Sequence, residues 1–295
     1  MSGLHGYYSS EILTPMITRF APSPTGPLHL GHAYSALLGA DLARAAGGQF
    51  LLRIEDLDRE RSKPEWEAAI HEDLRWLGID YPRPVWRQSE RLPAYEAALA
   101  RLDGMGLLYP CGCNRAEIRA ALSAPQEGDP PHGPDGLIYP GTCRHRSMAD
   151  RRPGDALRLD IQKAVQATAK YLEFTEDGDG TGVQRRAAAD LITGAGDIVL
   201  ARRQTGAIAY HLAVVVDDAA QGVTLVTRGR DLSDATPLHV LLQHLLGLPT
   251  PRYHHHRLIR DAQGKRLAKR HDAEAIGLYR ERGATPQDIR ALVGL

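Results

Sequence analysis

The apolar positions change period several times along the chain, and each change marks an element. Residues 16–21 (MITRFA) form a short apolar-rich run that stops at Pro22, which reads as a strand followed by a turn rich in Pro, Ser, Thr and Gly up to Pro27. From about Gly31 to Ala46 the apolar residues recur at helical spacing, and Gly47 and Gly48 end the helix they predict. Residues 50–54 (FLLRI) predict a second strand. Strand, loop, helix and strand within about 40 residues make a βαβ unit, with parallel strands and a right-handed crossover. A further helix is expected from Ser62-Lys63-Pro64-Glu65, read as a capping box, with Trp66, Ala69, Ile70, Leu74 and Leu77 on its apolar face and Gly78 at its end.

Residues 94–102 predict another helix. Residues 108–146 gather Cys, Gly, Pro and Asp around one short helix capped by Asn114 and Glu117, and read as an insertion. From 156 to 230 the pattern is strand-like and punctuated by glycine, with strands at 156–161, 197–201 and 223–227. Helices return near 234–246, 272–281 and 285–293, the last capped by Thr285 with Pro286 in its first turn. There is no internal repeat. The whole predicts an α/β protein, a Rossmann-type core carrying insertions.

Length and composition narrow this only slightly. The 295 residues allow one large or two modest domains, and 43% apolar with 24% charged residues is ordinary for a globular chain. Lys plus Arg and Asp plus Glu balance at 36 each, so a nucleic-acid partner must be met by a local patch. The N-terminus lacks a basic segment followed by an apolar one, and the most apolar run, residues 212–216, is far too short to cross a bilayer. The expected compartment is the cytoplasm, with no membrane contact.

Chemistry concentrates in two places. Arg19-Phe20-Ala21-Pro22-Ser23-Pro24-Thr25-Gly26 leads into His29-Leu30-Gly31-His32 at a strand-to-helix junction. Free backbone N–H groups and the positive helix end suit a phosphate there, two imidazoles can donate to a triphosphate, and Gly31 leaves room for adenine or ribose. The second place holds all three cysteines, Cys111, Cys113 and Cys143. So small and odd a number argues against a disulfide framework, whereas three thiolates can make a tetrahedral zinc site with one oxygen or nitrogen ligand, for which His132 and His145 are candidates. Two other patterns carry less. Asp177 to Gly182 resembles the start of a calcium loop, but Ala188 stands where the closing glutamate is needed. His254-His255-His256 reads as a polar strand facing nucleotide or RNA rather than as a metal site.

The string from Arg19 to His32 resembles the opening of glutamyl-tRNA synthetases, with residues 29–32 as the class I HIGH signature. The resemblance continues through Arg53-Ile54-Glu55-Asp56-Leu57-Asp58, Ala209-Tyr210-His211, Val215-Val216-Asp217-Asp218 and Thr227-Arg228-Gly229-Arg230-Asp231-Leu232, and ends at Gly264-Lys265-Arg266-Leu267-Ala268-Lys269-Arg270. It covers residues from about 17 to 275, in the family's order. It implies an ATP site at His29, Gly31, His32 and Lys269, with His29, His32 and Lys269 catalytic and magnesium accompanying the ATP. Lys269 holds the place of the second lysine of the KMSKS loop, where a mobile cation neutralises the phosphates as pyrophosphate leaves. Arg266 and Ala268 depart from that pattern.

The resemblance also implies a glutamate site at Arg19, Ala21, Ser23, Glu55, Tyr210 and Arg228. The chemistry agrees, since two guanidiniums suit two carboxylates, Glu55 suits the ammonium and Tyr210 adds a hydroxyl. A short branch of the family carries Cys-x-Cys and Tyr-x-x-x-Cys, which implies one structural zinc on Cys111, Cys113, Tyr139 and Cys143. The implied segmentation is an extension at 1–15, core halves at 16–107 and 196–271, an insertion at 108–195 and a helical segment at 272–295. Full-length members continue with an anticodon-binding portion, whereas this sequence runs only to Leu295. Resemblance to the short branch therefore implies activation of L-glutamate and its transfer to queuosine in the anticodon of tRNA(Asp), by a monomer. Arg144, Arg146, Arg185 and Arg186 are then expected to meet the RNA. Two alternatives stay open: a truncated synthetase charging a tRNA 3′ end, and a non-catalytic paralogue that binds an adenylate or RNA.

Overall fold

In the computed structural model, residues 15–122, 132–260 and 274–295 are described. The expected βαβ unit is β1 (Ile17–Phe20), α1 (Leu30–Ala45) and β2 (Gln49–Ile54), with Ile17 opposite Gln49 and Phe20 opposite Leu52 in a parallel pair. Helix α2 (Pro64–Trp76) leads to β3 (Trp86–Arg87), which extends the sheet parallel to β2. The capping box expected at Ser62 does not form. Pro64 takes the first helical position and forces Lys63 into extended backbone, so the cap falls on Lys63, whose side chain makes no capping bond.

Helix α3 (Leu92–Gly104) precedes β4 (Leu108–Cys111) and α4 (Arg115–Leu122). Asn114 caps α4 as expected: its Oδ1 accepts from the N–H groups of Ala116 and Glu117, and the Glu117 carboxylate accepts from the Asn114 N–H. A small hairpin follows, β5 (His132–Gly133) and β6 (Gly136–Leu137). Next come β7 (Ala156–Leu159), α5 (Ile161–Gln166), β8 (Tyr171–Glu176), β9 (Gly182–Ala187), α6 (Asp190–Gly194) and β10 (Val199–Ala201). The chain then forms α7 (Tyr210–Ala220), β11 (Leu225–Gly229), α8 (Thr236–Leu245), β12 (Arg252–His256), α9 (Ile276–Glu281) and α10 (Pro286–Val293). Thr285 caps α10 by accepting from the Asp288 N–H.

Strands β4, β7 and β10 make an antiparallel sheet, while β11, β12 and β8 run parallel, with β9 folded back on β8. Strand β8 lies within the stretch expected to be inserted, yet Glu176 is registered opposite Tyr253 of β12. The two parallel groups meet where β1 lies against β11. There the Thr224 N–H donates to the Ile17 carbonyl at 2.9 Å, and the Ile17 N–H donates to Thr224 Oγ1 at 2.8 Å. The order from β3 through β2 and β1 to β11 and β12 therefore reverses between β1 and β11. In an open parallel sheet such a reversal opens a crevice at the carboxyl ends of the strands.

Helix α1 covers this seam closely. A Cβ on Gly39 would stand 2.9 Å from Thr227 Oγ1 and 3.3 Å from the Phe50 ring, so glycine lets the helix settle onto β2 and β11 together. One apolar core gathers around α3, α7 and α8, and a second around β1, α1, β2, α2 and α10. Helix α7 departs from the strand-like reading of 156–230. Its buried side includes Leu212, Ala213, Val214, Val215, Asp217 and Asp218, so polar residues do not mark out a separate solvent face. No described helix is long and apolar enough to cross a membrane.

Candidate active site

The first turn of α1 is closed by its own histidines. His29 is the N-cap: its Nδ1 accepts from the Gly31 N–H at 3.1 Å, and His32 Nδ1 accepts from the His29 N–H at 3.1 Å. The two rings lie 3.8 Å apart between centroids. Because each Nδ1 accepts, the proton of each neutral ring resides on Nε2. Two ring donors are thereby presented at a helix start, beside backbone N–H groups and the positive end of the dipole. Gly31 has a local role here, since a Cβ on it would approach the His29 ring to 3.0 Å.

A buried charge network links the ends of β1 and β2 to α7. Arg19, at the end of β1, binds the Asp218 carboxylate at 3.0 Å through Nε and the Thr227 carbonyl at 3.2 Å through Nη1. Arg53 is fully buried and donates through Nη1 to Asp218 at 2.8 Å and to Gln221 at 2.8 Å. Its Nη2 lies 3.5 Å from Glu55. Burial resists ionisation of Asp218, but the charges of Arg19 and Arg53 outweigh it and hold the carboxyl below the usual range. For Glu55 the balance is reversed: burial exceeds the pull of Arg53 and Arg19 and pushes its carboxyl up to about 7. Asp217 anchors the far side, accepting from Tyr95 Oη at 2.6 Å, Arg91 Nε at 2.6 Å and Gln88 Nε2 at 3.1 Å.

Arg228, at the end of β11, is held differently. It donates to His239 Nδ1 at 3.0 Å, to Thr236 Oγ1 at 2.7 Å and to His255 Nε2 at 3.2 Å. None of these is a carboxylate, so among the described residues no contacting acid neutralises its charge. Tyr210 opens α7 with its ring edge-on to His211 and His239, at 5.4 and 5.7 Å. Burial raises the pKa of its hydroxyl, with Arg228, Glu55 and Arg19 all near enough to influence it. The structure thus brings Arg19 of β1, Glu55 just past β2, Tyr210 of α7 and Arg228 of β11 within electrostatic reach of one another at the strand ends. Ala21 and Ser23 lie half-buried on the loop leaving β1. That loop is pinned by the Glu55 N–H donating to the Pro22 carbonyl at 3.0 Å and the Lys63 N–H donating to the Pro24 carbonyl at 3.0 Å. Lys269 lies outside the described residues.

The cysteines converge as well. The three Sγ atoms lie within 4.8 Å of one another, and among the described residues no imidazole or carboxylate joins the group, which sets His132 and His145 aside. The Tyr139 hydroxyl lies 3.4 Å from Cys111 Sγ and 3.4 Å from Cys113 Sγ, and accepts from the Cys143 N–H at 2.9 Å. The Arg158 guanidinium covers the Tyr139 ring at 3.8 Å. Burial pushes the Cys113 thiol up to about 11; burial also resists ionisation of Cys143, but the Tyr139 hydroxyl and the Gly112 backbone hold that thiol down to about 7. Three thiols this close together could hold a metal ion, and thiolate sulfur is a donor that suits zinc.

Not every basic residue faces outward. Arg144 pairs with buried Asp197 at 2.7 Å and Arg146 with Asp155 at 2.8 Å, so both brace the cysteine region rather than stand ready for RNA. Arg185 and Arg186 are exposed on β9, where Arg185 pairs with Glu173 at 3.1 Å. A cavity of about 910 Å³ runs from the cysteines to Tyr210 and carries Arg119, Arg158, Arg202 and Arg203 on its walls. A second, of about 840 Å³, reaches Tyr210 from the side of Arg186 and Arg230. Asp218, Arg53, His239 and Thr236 were not among the expected site residues. The sequence signal was the Asp217-Asp218 pair, but its arginine partners lie more than a hundred residues away in the chain.

Residues 15–295 match the family model for tRNA synthetases class I (E and Q), catalytic domain. The chain is 58% identical, over 95% of its length and 100% of the relative's, to the glutamyl-Q tRNA(Asp) synthetase of Rhodobacter capsulatus. It is 43% identical to that of Symbiobacterium thermophilum, over 92% of this chain and 83% of the relative. Among solved structures it resembles a glutamate tRNA ligase from Elizabethkingia meningosepticum in complex with its amino acid, with a TM-score of 0.74 and 26% identity. That match covers 96% of this chain but 61% of the ligase, so the chain spans about three fifths of its length.

Proposed function

The chain belongs to the class I glutamyl- and glutaminyl-tRNA synthetase family, and from that premise we propose that it activates L-glutamate with ATP and transfers the glutamyl group to queuosine in tRNA(Asp). The observation that carries this reading is the electrostatic proximity of Arg19, Glu55, Tyr210 and Arg228 at the strand ends of a sheet whose first helix opens on the His29–His32 cap.

In this reading Arg228, which no acid neutralises among the described residues, takes one carboxylate of the amino acid. Arg19, oriented by Asp218, serves the other, and ionised Glu55 takes the ammonium. Tyr210 adds a hydroxyl, and Ala21 and Ser23 line the entrance. The glutamate α-carboxylate oxygen attacks the α-phosphorus of ATP, and the bond to the leaving pyrophosphate breaks. The Nε2–H groups of His29 and His32, with the helix start at Gly31, stabilise the charge on the phosphates, and Lys269 supplies a further cation for them. Magnesium accompanies the ATP. A hydroxyl of queuosine then attacks the activated carbonyl and releases AMP.

One structural zinc on Cys111, Cys113, Cys143 and the Tyr139 oxygen would fix the turn that follows β4 and one wall of the cavity leading to Tyr210. Arg119 and Arg203 in that cavity suit an RNA backbone better than the acid-paired Arg144 and Arg146 do. The accompanying segmentation keeps core halves at 16–107 and 196–271 around an insertion at 108–195, with β8 joining that insertion to the core sheet.

The reading is tested in two stages. Exchange of pyrophosphate into ATP should depend on glutamate and need no tRNA. Glutamylation of tRNA(Asp) should then require queuosine, and Arg203→Glu should weaken transfer while leaving exchange intact. Absence of exchange would overturn activation; equal acylation of tRNA with and without queuosine would overturn the acceptor.

A further inference from the structure

Three polar groups behind the crevice have no part in the chemistry above: Asp135, His211 and His239. We propose that they form a directional hydrogen-bond relay that positions Arg228 for its carboxylate, so that the β5–β6 hairpin is a working part of the amino-acid site. This rests on the reading of Arg228 as a glutamate ligand.

The direction follows from the two ends. A guanidinium can only donate, so His239 Nδ1 accepts from Arg228 at 3.0 Å and the ring carries its proton on Nε2. That proton is donated to His211 Nδ1 at 2.9 Å, which leaves the His211 proton on Nε2, aimed at Asp135 Oδ1 at 3.0 Å. An ionised carboxylate can only accept, so the chain closes without a mismatched donor. Burial, and then the charge of Arg228, keep His239 neutral, as the relay requires. On the other side the Arg228 Nε–H donates to His255 Nε2, and the His255 Nδ1–H donates to the Glu176 carboxylate. Both arms reach Arg228 through a neutral imidazole, which fixes the guanidinium plane without cancelling its charge. Arg19 differs, because Asp218 binds it directly.

The outer end of the relay is in contact with solvent. The Asp135 side chain is 55% exposed, in the turn of the β5–β6 hairpin, and the residue lines both cavities that reach Tyr210. Tyr210 also packs its ring against both relay imidazoles. Moving the hairpin therefore moves the acceptor on which the tautomers of His211 and His239 depend.

Glutamate-dependent ATP–pyrophosphate exchange tests the relay in the full chain. His239→Leu should raise the KM for glutamate about 10- to 100-fold, and Asp135→Ala about 3- to 10-fold, with kcat and the KM for ATP within about twofold of wild type. His239→Gln has an oxygen to accept from Arg228 and an amide to donate to His211, and should recover most of the loss. Asp135 is exposed, so its variant tests the relay even if a leucine at buried position 239 disturbs folding. An unchanged KM for glutamate in Asp135→Ala, or a parallel rise in the KM for ATP, would overturn the relay. Arg228→Ala is the reference: if it leaves the glutamate KM unchanged, the assignment of Arg228 fails and the relay with it. If it raises that KM while both relay variants stay at the wild-type value, the relay alone fails.

Discussion

Replacing Glu55 by glutamine should stabilise the fold at pH 8 and weaken the hold on glutamate. The Glu55 side chain is 11% exposed, and burial raises its pKa from the ordinary 4.5 to about 7 despite Arg53 and Arg19. Between those values the native state keeps a proton that the unfolded chain has released, so stability falls as pH rises through the window. The ionised carboxylate therefore costs about 3 kcal/mol at pH 8 but only about 1 kcal/mol at pH 5. Glutamine keeps the shape and cannot ionise. Urea unfolding of both proteins should show the variant more stable by up to about 3 kcal/mol at pH 8, with the difference shrinking to about 1 kcal/mol at pH 5. Pyrophosphate exchange should show a glutamate KM raised about tenfold or more, because the ammonium loses its charged acceptor. In the wild type the same KM should rise about tenfold between pH 8 and pH 6 as Glu55 takes up its proton. A variant less stable than wild type at pH 8, or a gain that does not vary with pH, would refute the reasoning.

Asp217→Ala strips the acceptor from Tyr95, Arg91 and Gln88 at once and should cost about 3–5 kcal/mol in urea unfolding. Metal analysis of the purified chain should find one zinc, and Cys113→Ala should lose it together with several degrees of melting temperature. Gly48→Ala places a Cβ 2.0 Å from the Met16 carbonyl, so β1 must shift against the end of α1. A loss of about 3 kcal/mol or more is expected by thermal unfolding.

What the sequence disclosed depended on how local the cause was. The βαβ unit and the Asn114 and Thr285 caps are set by residues near one another in the chain, and their patterns predicted them; the cysteines were legible by residue type although Cys143 lies 30 residues from Cys113. Helix α7 escaped because its buried side includes both apolar residues and Asp217 and Asp218, blurring the contrast that marks a helix. The Ser62 box misled because proline shifted the start by one residue. At the crevice, Arg19, Glu55, Tyr210 and Arg228 could be named from the motifs. The side chains that aim them come from α7, α8 and β12, and only the packed sheet brings these together. Arg144 and Arg146 were legible as charge, but not as charge already paired with Asp197 and Asp155.

The mutual cap of His29 and His32 restricts which residues can replace them. Each position must supply a lone pair to a main-chain N–H on its inner edge and, for the proposed phosphate contact, a hydrogen on its outer edge. Lysine or arginine, which charge alone would favour beside a triphosphate, offers only hydrogens and would leave that N–H unmet. Asparagine carries both, an oxygen that caps and an amide that donates, on one short arm. At these two places in the chain, exchange is therefore governed by two-sidedness rather than by basicity, and an amide should be a closer relative of imidazole than any cation.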